Sequence, residues 1–377
     1  MNARKKVFVG LSGGVDSAVS AALLKEQGYD VTGLFAWIAL EGYPCSAGED
    51  RREALRVAAH LQIPFLEVDL SDAYRKRIFA DAIESYQRGE TPNPDALCNR
   101  EIKFGLLYDF ACDHGADLFA TGHYARIADE RGLHPSSKAE LAAERSADSR
   151  GKEPEVHLLA GVDTEKDQSY FLWAVPEERL AHTIFPVGSL HKPEVRVLAR
   201  KFGLPNAARR DSQGLCFLGD VSMEDMLIQE LHPAPGDVLN AHGEKIGRHR
   251  GAVLYTIGQR HGFEVAARDA HEEPLYVTRK DMTRNTITVS AGRTSDVLPA
   301  EEAGDIRVHL RETNWIGTFE DGPCEIRFRY RQKLLPANVR RADGVVTISA
   351  PEARTMPVGQ SLVIYRGARV LGGGIIT

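Results

Sequence analysis

Val7-Phe8-Val9-Gly10-Leu11-Ser12-Gly13-Gly14-Val15-Asp16-Ser17 runs from an apolar, β-branched strand into a glycine loop and on into an amphipathic stretch. A strand that ends in such a loop and opens a helix brings backbone N–H groups and the positive end of the helix dipole to one point, which makes an anion site. A phosphate is expected there. Gly13 and Gly14 let the backbone approach it, Ser12 and Ser17 offer hydroxyl donors, and Asp16 either orients the loop or helps hold Mg2+. No Gly-Lys-Ser or Gly-Lys-Thr follows, so this is not a Walker A loop. Taken alone, the same residues also suit an ordinary glycine-rich turn.

Outward from this loop, the chain up to residue 125 alternates short β-branched or aromatic runs with longer amphipathic stretches, the pattern of βαβ units on a parallel sheet. Strands are expected at Val7 to Leu11, Val31 to Phe35, Pro64 to Val68 and Leu118 to Thr121. Helices are expected at Ser17 to Gln27, Asp50 to Leu61, Ser71 to Arg88 and Ile102 to His114. Between Ile127 and Val156 the chain turns polar and rich in Ala, Ser, Lys and Glu, typical of a mobile surface insertion. Helical periodicity returns from Asp163 to Leu204, and a glycine- and histidine-rich region follows a junction near Ala207. After Leu298 the runs IRVHL, CEIRFRY, ANVRRA, VVTISA and SLVIYR, separated by Gly, Pro and Asp turns, read as a small β-barrel. The expected organisation is an α/β parallel-sheet domain over 1–206 with an insertion at 127–156, a small central domain over 207–297 and a C-terminal β-barrel over 298–377.

At 377 residues the chain exceeds the size at which one core keeps growing, in line with several domains. Its 43% hydrophobic and 27% charged residues suit a soluble globular protein, and no apolar run approaches the roughly 20 residues that cross a bilayer. Val7 to Leu11 is too short for a signal-peptide core, so a cytoplasmic protein with no membrane role is expected. The net charge of -6 argues against indiscriminate nucleic-acid binding but leaves room for a local basic surface. Five cysteines do not make a disulfide framework, no C-x-x-C occurs, and His123 and His182 have no cysteine at finger spacing. No metal-ligand cysteines are expected.

Two cysteines stand in charged settings. Cys98 falls just before an expected helix with Arg100 and Lys103 close by, and both features lower a thiol pKa. Cys216 stands beside Arg209-Arg210 in a glycine-containing loop, again a thiolate-favouring setting. A lone cysteine at such a place is also an ordinary packing residue, and the pair together is what points to chemistry. Cys112 and Cys324 read as packing, and Cys45 as a loop residue.

N-P-D-x-L-C-N-x-x-I-K-F from Asn93, T-G-H-Y from Thr121, K-D-Q-S-Y-F-L from Lys166, D-S-Q-G-x-C-F from Asp211, Y-T-I-G-Q-R from Tyr255 and R-x-R-Y-R-Q from Arg327 follow one another along the chain. With S-G-G-V-D-S at Ser12 and the ending Leu371 to Ile376, they make nearly the whole chain resemble the bacterial tRNA-specific 2-thiouridylases. These belong to the N-type ATP pyrophosphatases, which activate a carbonyl oxygen by adenylation. The resemblance implies an adenine-nucleotide α-hydrolase-like (PP-loop) domain, ATP with Mg2+ as cofactor, and thiolation of the wobble uridine of tRNAs for Lys, Glu and Gln. It implies a persulfide on Cys216 with Cys98 as its catalytic partner, the two being able to form a transient disulfide. A cysteine desulfurase or sulfur-relay protein would be the donor.

ATP contacts implied in the same way are Gly10, Leu11, Ser12, Gly13, Gly14, Val15, Asp16, Ser17, Gly122 and Ala36. The family has methionine at the last position, so only a backbone contact to adenine survives there. Asn93, Pro94 and Asp95 would meet the target base; Asp95 reads as a proton shuttle or, equally, as a helix N-cap. His123, Lys166, Asp167, Gln168, Arg329, Tyr330 and Gln360 would touch tRNA, although His123 also suits a satisfied histidine and Lys166 and Asp167 a surface salt bridge. Strand alternation places Arg327, Arg329 and Arg331 on one face opposite Tyr330, a phosphate-tracking arrangement. Two rival readings remain. An amidotransferase-type synthetase has no need of Cys98 and Cys216, and an RNA-binding protein without catalysis has no need of Ser12 and Asp16.

Overall fold

Residues 4–129, 155–211, 221–265, 273–291, 306–351 and 356–377 are described by a computed structural model. The first sheet holds five parallel strands in the spatial order Phe65–Asp69, Asp30–Trp37, Lys6–Gly10, Leu118–Ala120 and Thr183–Ile184. Its central strands are covered on both faces, which is why they read as unbroken apolar runs: Val7, Val9 and Ala120 have no exposed surface. From Lys6–Gly10 the chain winds first to one side, through Asp30–Trp37 and Phe65–Asp69, and then crosses to the other at Leu118–Ala120. The carboxyl ends of Lys6–Gly10 and Leu118–Ala120 therefore flank the topological switch point, where open α/β sheets leave a crevice for ligands.

The helix Val15–Glu26 turns Ala18, Val19, Ala21, Ala22 and Leu24 onto this sheet, and the small alanines let it pack closely. Val195 and Ala199 of the helix Lys192–Lys201 join the same core. A second sheet of five strands, Phe263–Val265, Lys245–His249, Gly236–Leu239, Thr286–Ala291 and Leu275–Asp281, forms the central domain. In the third sheet, Ile306–Trp315, Val345–Ala350, Leu335–Ala342, Gly322–Arg327, Ser361–Arg366 and Arg369–Ile376 pair in that order, and Ile306–Trp315 pairs back to Arg369–Ile376 to close a barrel. Ile326, Val339, Ile348, Leu362 and Ile364 fill it.

Several expectations change. The borders of the expected insertion are strands, Ala125–Asp129 and Val156–Ala160, which pair with each other and extend the barrel sheet beside Arg369 and Val370. The remainder, 130–154, lies outside the described residues. The region 163–204 is mainly loop, with Glu177–Leu180 and Lys192–Lys201 as its α-helices. The arginine alternation fails as well: the strand Gly322–Arg327 ends at the first arginine, and Arg331 has a positive φ of 59° in the turn beyond it.

Candidate active site

Gly14 is the N-cap of Val15–Glu26 and has no side chain to satisfy the first-turn N–H groups, so these remain for an anion. Gly13 has φ 77°, and a Cβ there would lie 2.5 Å from the Asp50 carbonyl oxygen. The hydroxyls of Ser12 and Ser17 stand 3.3 Å apart across the loop, and Ser17 Oγ donates to the Gly14 carbonyl at 3.1 Å. Leu11 and Val15 are buried and can contribute only backbone to a ligand. The Gly10 loop and Gly122 stand together at the switch point, since a Cβ on Gly122 would come within 2.7 Å of Ser17 N. Ala36 is buried near the end of its strand, in register with Val68.

Asp16 accepts from Tyr124 Oη at 2.9 Å and, through both oxygens, from Lys192 Nζ at 2.7 and 2.8 Å. Burial and this carboxylate push the Tyr124 phenol pKa well up, so it remains a donor. With both Asp16 oxygens engaged and no cluster of three metal-ligating side chains among the described residues, the residues present do not fit a protein-held Mg2+.

Sequence reasoning missed the strap that covers this loop. Asn206 Nδ2 donates to the carbonyls of Gly13 and Gly14 at 2.9 and 3.2 Å. Arg209 bonds the Gly13 carbonyl at 3.0 Å and pairs with Asp50 at 2.6 Å. In the sequence Arg209 stands out only as a neighbour of Cys216, and nothing local marks Asn206. Asp211 ends the strap, bonded by Lys166 at 2.7 Å, Lys192 at 2.9 Å and Arg196. Burial pushes its carboxyl up, but Lys166 and Lys192 outweigh this and hold the pKa at about 2. Cys216, five positions on in sequence, lies outside the described residues.

Cys98 is not at a helix start. The helix Pro94–Cys98 begins one turn earlier, with Asn93 as N-cap accepting from Ala96 N at 3.2 Å and Pro94 in its first turn. Asn93 and not Asp95 is thus the cap; Asp95 falls within the first turn. Cys98 closes this segment with no exposed surface, and the chain continues into a wider, π-wound stretch, Asn99–Leu107, interrupted at Gly105. Such windings recur at functional sites. Lys103 reaches from this stretch to His123 Nε2 at 3.4 Å, while His123 Nδ1 meets Thr121 Oγ1 at 2.7 Å. Burial, then Lys103, pushes the His123 pKa far below 6.5, so the ring is neutral. His123 packs between Phe104 and Phe185, as a satisfied core histidine does. On another face of Pro94–Cys98 a cavity of about 260 Å³ is lined by Asn93, Pro94, Leu97, Arg100 and Arg311.

The expected RNA contacts are mostly engaged inside the protein. Asp167 is 4% exposed and accepts from Gly161 N, Ser169 N, Ser169 Oγ and Arg327, so its side chain does not face solvent. Gln168 Oε1 accepts from Tyr124 N at 3.0 Å, and Gln360 Nε2 donates to the Thr91 carbonyl at 2.8 Å. Arg329 bonds the Ile257 carbonyl at 3.0 Å. Tyr330, 37% exposed, lies against Phe171 with ring centroids 4.7 Å apart, and the Arg331 guanidinium is 5.2 Å from its ring centroid. Asn99 Nδ2 donates to the Phe171 carbonyl, which joins this aromatic surface to the Cys98 helix.

Arg327 is therefore structural where a solvent-facing role was expected. Arg327→Ala leaves a buried carboxylate without its counter-charge and should lower the unfolding free energy by about 3 kcal/mol. Arg331→Ala should leave it unchanged; urea denaturation of both variants measures the contrast.

Family profiles match in three consecutive stretches: one described as tRNA methyl transferase HUP domain over residues 5–220, one as tRNA methyl transferase PRC-barrel domain over 224–291, and one as aminomethyltransferase beta-barrel domain over 306–376. A protein named tRNA-specific 2-thiouridylase MnmA from Enterococcus faecalis is 39% identical over 384 residues, covering 100% of this chain and 96% of its own. One of the same name from Pseudomonas putida is 40% identical over 382 residues, covering 99% and 95%. The solved U34-tRNA thiolase NcsA of Methanococcus maripaludis, with its 4Fe-4S cluster, is 21% identical with a TM-score of 0.32, covering 54% of this chain and 58% of that one.

Proposed function

The chain belongs to the tRNA-specific 2-thiouridylase family, and we propose that it replaces O2 of the wobble uridine of tRNA with sulfur, using ATP to activate the oxygen. The tRNAs for Lys, Glu and Gln are the substrates. The observation that carries this reading is the strap: Asn206 and Arg209, in the stretch of sequence that precedes Cys216, bond the Gly13 and Gly14 carbonyls, which supports a site that joins this stretch to the expected ATP loop. Methyl transfer, the activity in the profile descriptions, would use neither a phosphate loop nor two cysteines.

Uridine O2 is a poor leaving group. Its attack on the α-phosphorus of ATP breaks the α–β anhydride, releases pyrophosphate and turns O2 into part of an AMP ester. The terminal sulfur of a Cys216 persulfide then attacks C2 and AMP departs. Cys98 as thiolate attacks Cys216 Sγ in the resulting adduct, releasing 2-thiouridine and leaving a Cys98–Cys216 disulfide for an external thiol to reduce. In the alternative order Cys98 first splits the persulfide, and the hydrosulfide attacks C2; both orders end in the same disulfide. The phosphate loop orients the triphosphate through backbone N–H groups, and Asn93 to Asp95, beside the cavity, present the base. A cysteine desulfurase or a relay protein supplies the sulfur. No step is assigned to Mg2+.

Incubation with tRNA, ATP and a desulfurase plus cysteine should convert uridine to 2-thiouridine at the wobble position, seen by mass spectrometry of nuclease digests. Omission of ATP should abolish it, and ATP-dependent AMP release without thiolation would sink the reading. In filter binding, Arg331→Ala should reduce the salt slope of tRNA affinity by about one unit.

A further inference from the structure

Asp16 places a carboxylate in the first turn of the helix whose start is built to receive an anion. The loop Gly10 to Ser17 contains no lysine or arginine to offset it. The cation comes from far along the chain: Lys192, the first residue of Lys192–Lys201, bonds both Asp16 oxygens and pairs with Asp211 at 2.9 Å. Its side chain is 13% exposed, its ammonium lies 5.8 Å from the Tyr124 ring centroid, and its backbone N–H is fixed by Asp163 at 2.8 Å. An ammonium has three donors, and Lys192 spends two of them on one carboxylate where a single bond would keep the ion pair. The second can pass to a phosphate oxygen with Asp16 and Asp211 still holding the side chain in place.

Resting on the reading that ATP occupies this loop, we propose that Lys192 is a pyrophosphate-binding residue of the site, contacting the β- or γ-phosphate of ATP and the pyrophosphate it becomes. Asp211 is a positioning residue for it, held in turn by Lys166 and Arg196. The lysine thus does from a separate helix what a lysine inside the loop does in Walker A proteins.

Lys192 could instead only neutralise Asp16, and the test separates these roles. The full-length protein and the variants Lys192→Met, Lys192→Arg, Asp16→Asn and Asp16→Asn/Lys192→Met are titrated with ATP, pyrophosphate and AMP by calorimetry. Lys192→Met should weaken ATP and pyrophosphate by about 10- to 100-fold, the size of a charge-assisted hydrogen bond, with AMP affinity within about threefold; its melting temperature should fall because Asp16 and Asp211 lose a cation, so the titrations are run where every variant is fully folded. Lys192→Arg should recover part of the loss, and the double variant should recover none. Unchanged pyrophosphate affinity in Lys192→Met, or full recovery in the double variant, would overturn the proposal. Failure of the unsubstituted protein to bind ATP at all would count against the proposed function and not against Lys192 specifically.

Discussion

A Cys98→Ser protein is expected to accept labelled sulfur at Cys216 and then to stop: 2-thiouridine formation should fall by at least about 100-fold, because in the proposed reaction nothing remains to split the persulfide or resolve its adduct. Cys216→Ser fails one step earlier and takes up no label, since an alkoxide cannot carry a persulfide. Both variants should keep tRNA-dependent ATP–pyrophosphate exchange, because in the proposed reaction adenylation precedes the sulfur step and uses the phosphate loop. Cys98 has no exposed surface, so serine there brings a hydroxyl into the core and should lower the melting temperature; Cys98→Ala is run beside it as the variant without that polar group. Nonreducing peptide maps after turnover should contain a Cys98–Cys216 disulfide. Label on Cys98 in place of Cys216 would exchange the two roles, and full thiolation by Cys98→Ala would remove that residue from the chemistry.

The phosphate loop was legible because every signal it needs is local: an apolar strand, two glycines and a helix in succession. So was the barrel, whose strands are short runs punctuated by Gly, Pro and Asp turns, several of them alternating, as Val345–Ala350 does. The helical stretch around Cys98 begins at Pro94, eight residues before the expected start at Ile102, because the start signal is Asn93-Pro94, a cap followed by proline in the first turn, and the expectation weighed Asp95 as the cap. The hairpin Ala125–Asp129 with Val156–Ala160 could not be read locally, since its outer partner is Arg369–Ile376, at the far end of the chain. Alternation from Arg327 to Arg331 assumed that the strand continued; a turn held by Gln332, which accepts from Phe328 N and Arg329 N, ends it. Lys192, Asn206 and Arg209 reach the loop across tertiary distance, and no spacing rule marks such residues. What a motif conveyed was the position of the chemistry; what it omitted was the set of charges that make that position tolerable.

Gly122→Ala should reduce ATP–pyrophosphate exchange by at least 100-fold while tRNA affinity stays within about threefold, because the glycine sits where the strand Leu118–Ala120 delivers the chain against the phosphate-binding helix. A Cβ on it would meet Ser17 N at 2.7 Å, the Asp16 carbonyl carbon at 2.8 Å and Ser17 Cα at 3.1 Å. All three are backbone atoms of the first helical turn, so no rotamer relieves the contact and the helix start must shift away from the sheet. The N–H groups aimed at the phosphate move with it, and so does Asp16, whose oxygens fix Tyr124 and Lys192. Overpacking of this kind costs about 1–3 kcal/mol of stability, which a melting curve will register, but the loss of exchange should far exceed the fraction unfolded. Gly13→Ala should behave similarly for another reason: φ of 77° disfavours any side chain, and its Cβ would push on the Asp50 carbonyl and on Arg209. Gly14→Ala is the control, since its Cβ would meet only Ser12 Oγ, at 3.3 Å, and exchange should fall less than about tenfold. If Gly122→Ala exchanges as fast as Gly14→Ala, the close approach of strand and helix is not what aligns the phosphate site, and the switch-point crevice loses its assigned ligand.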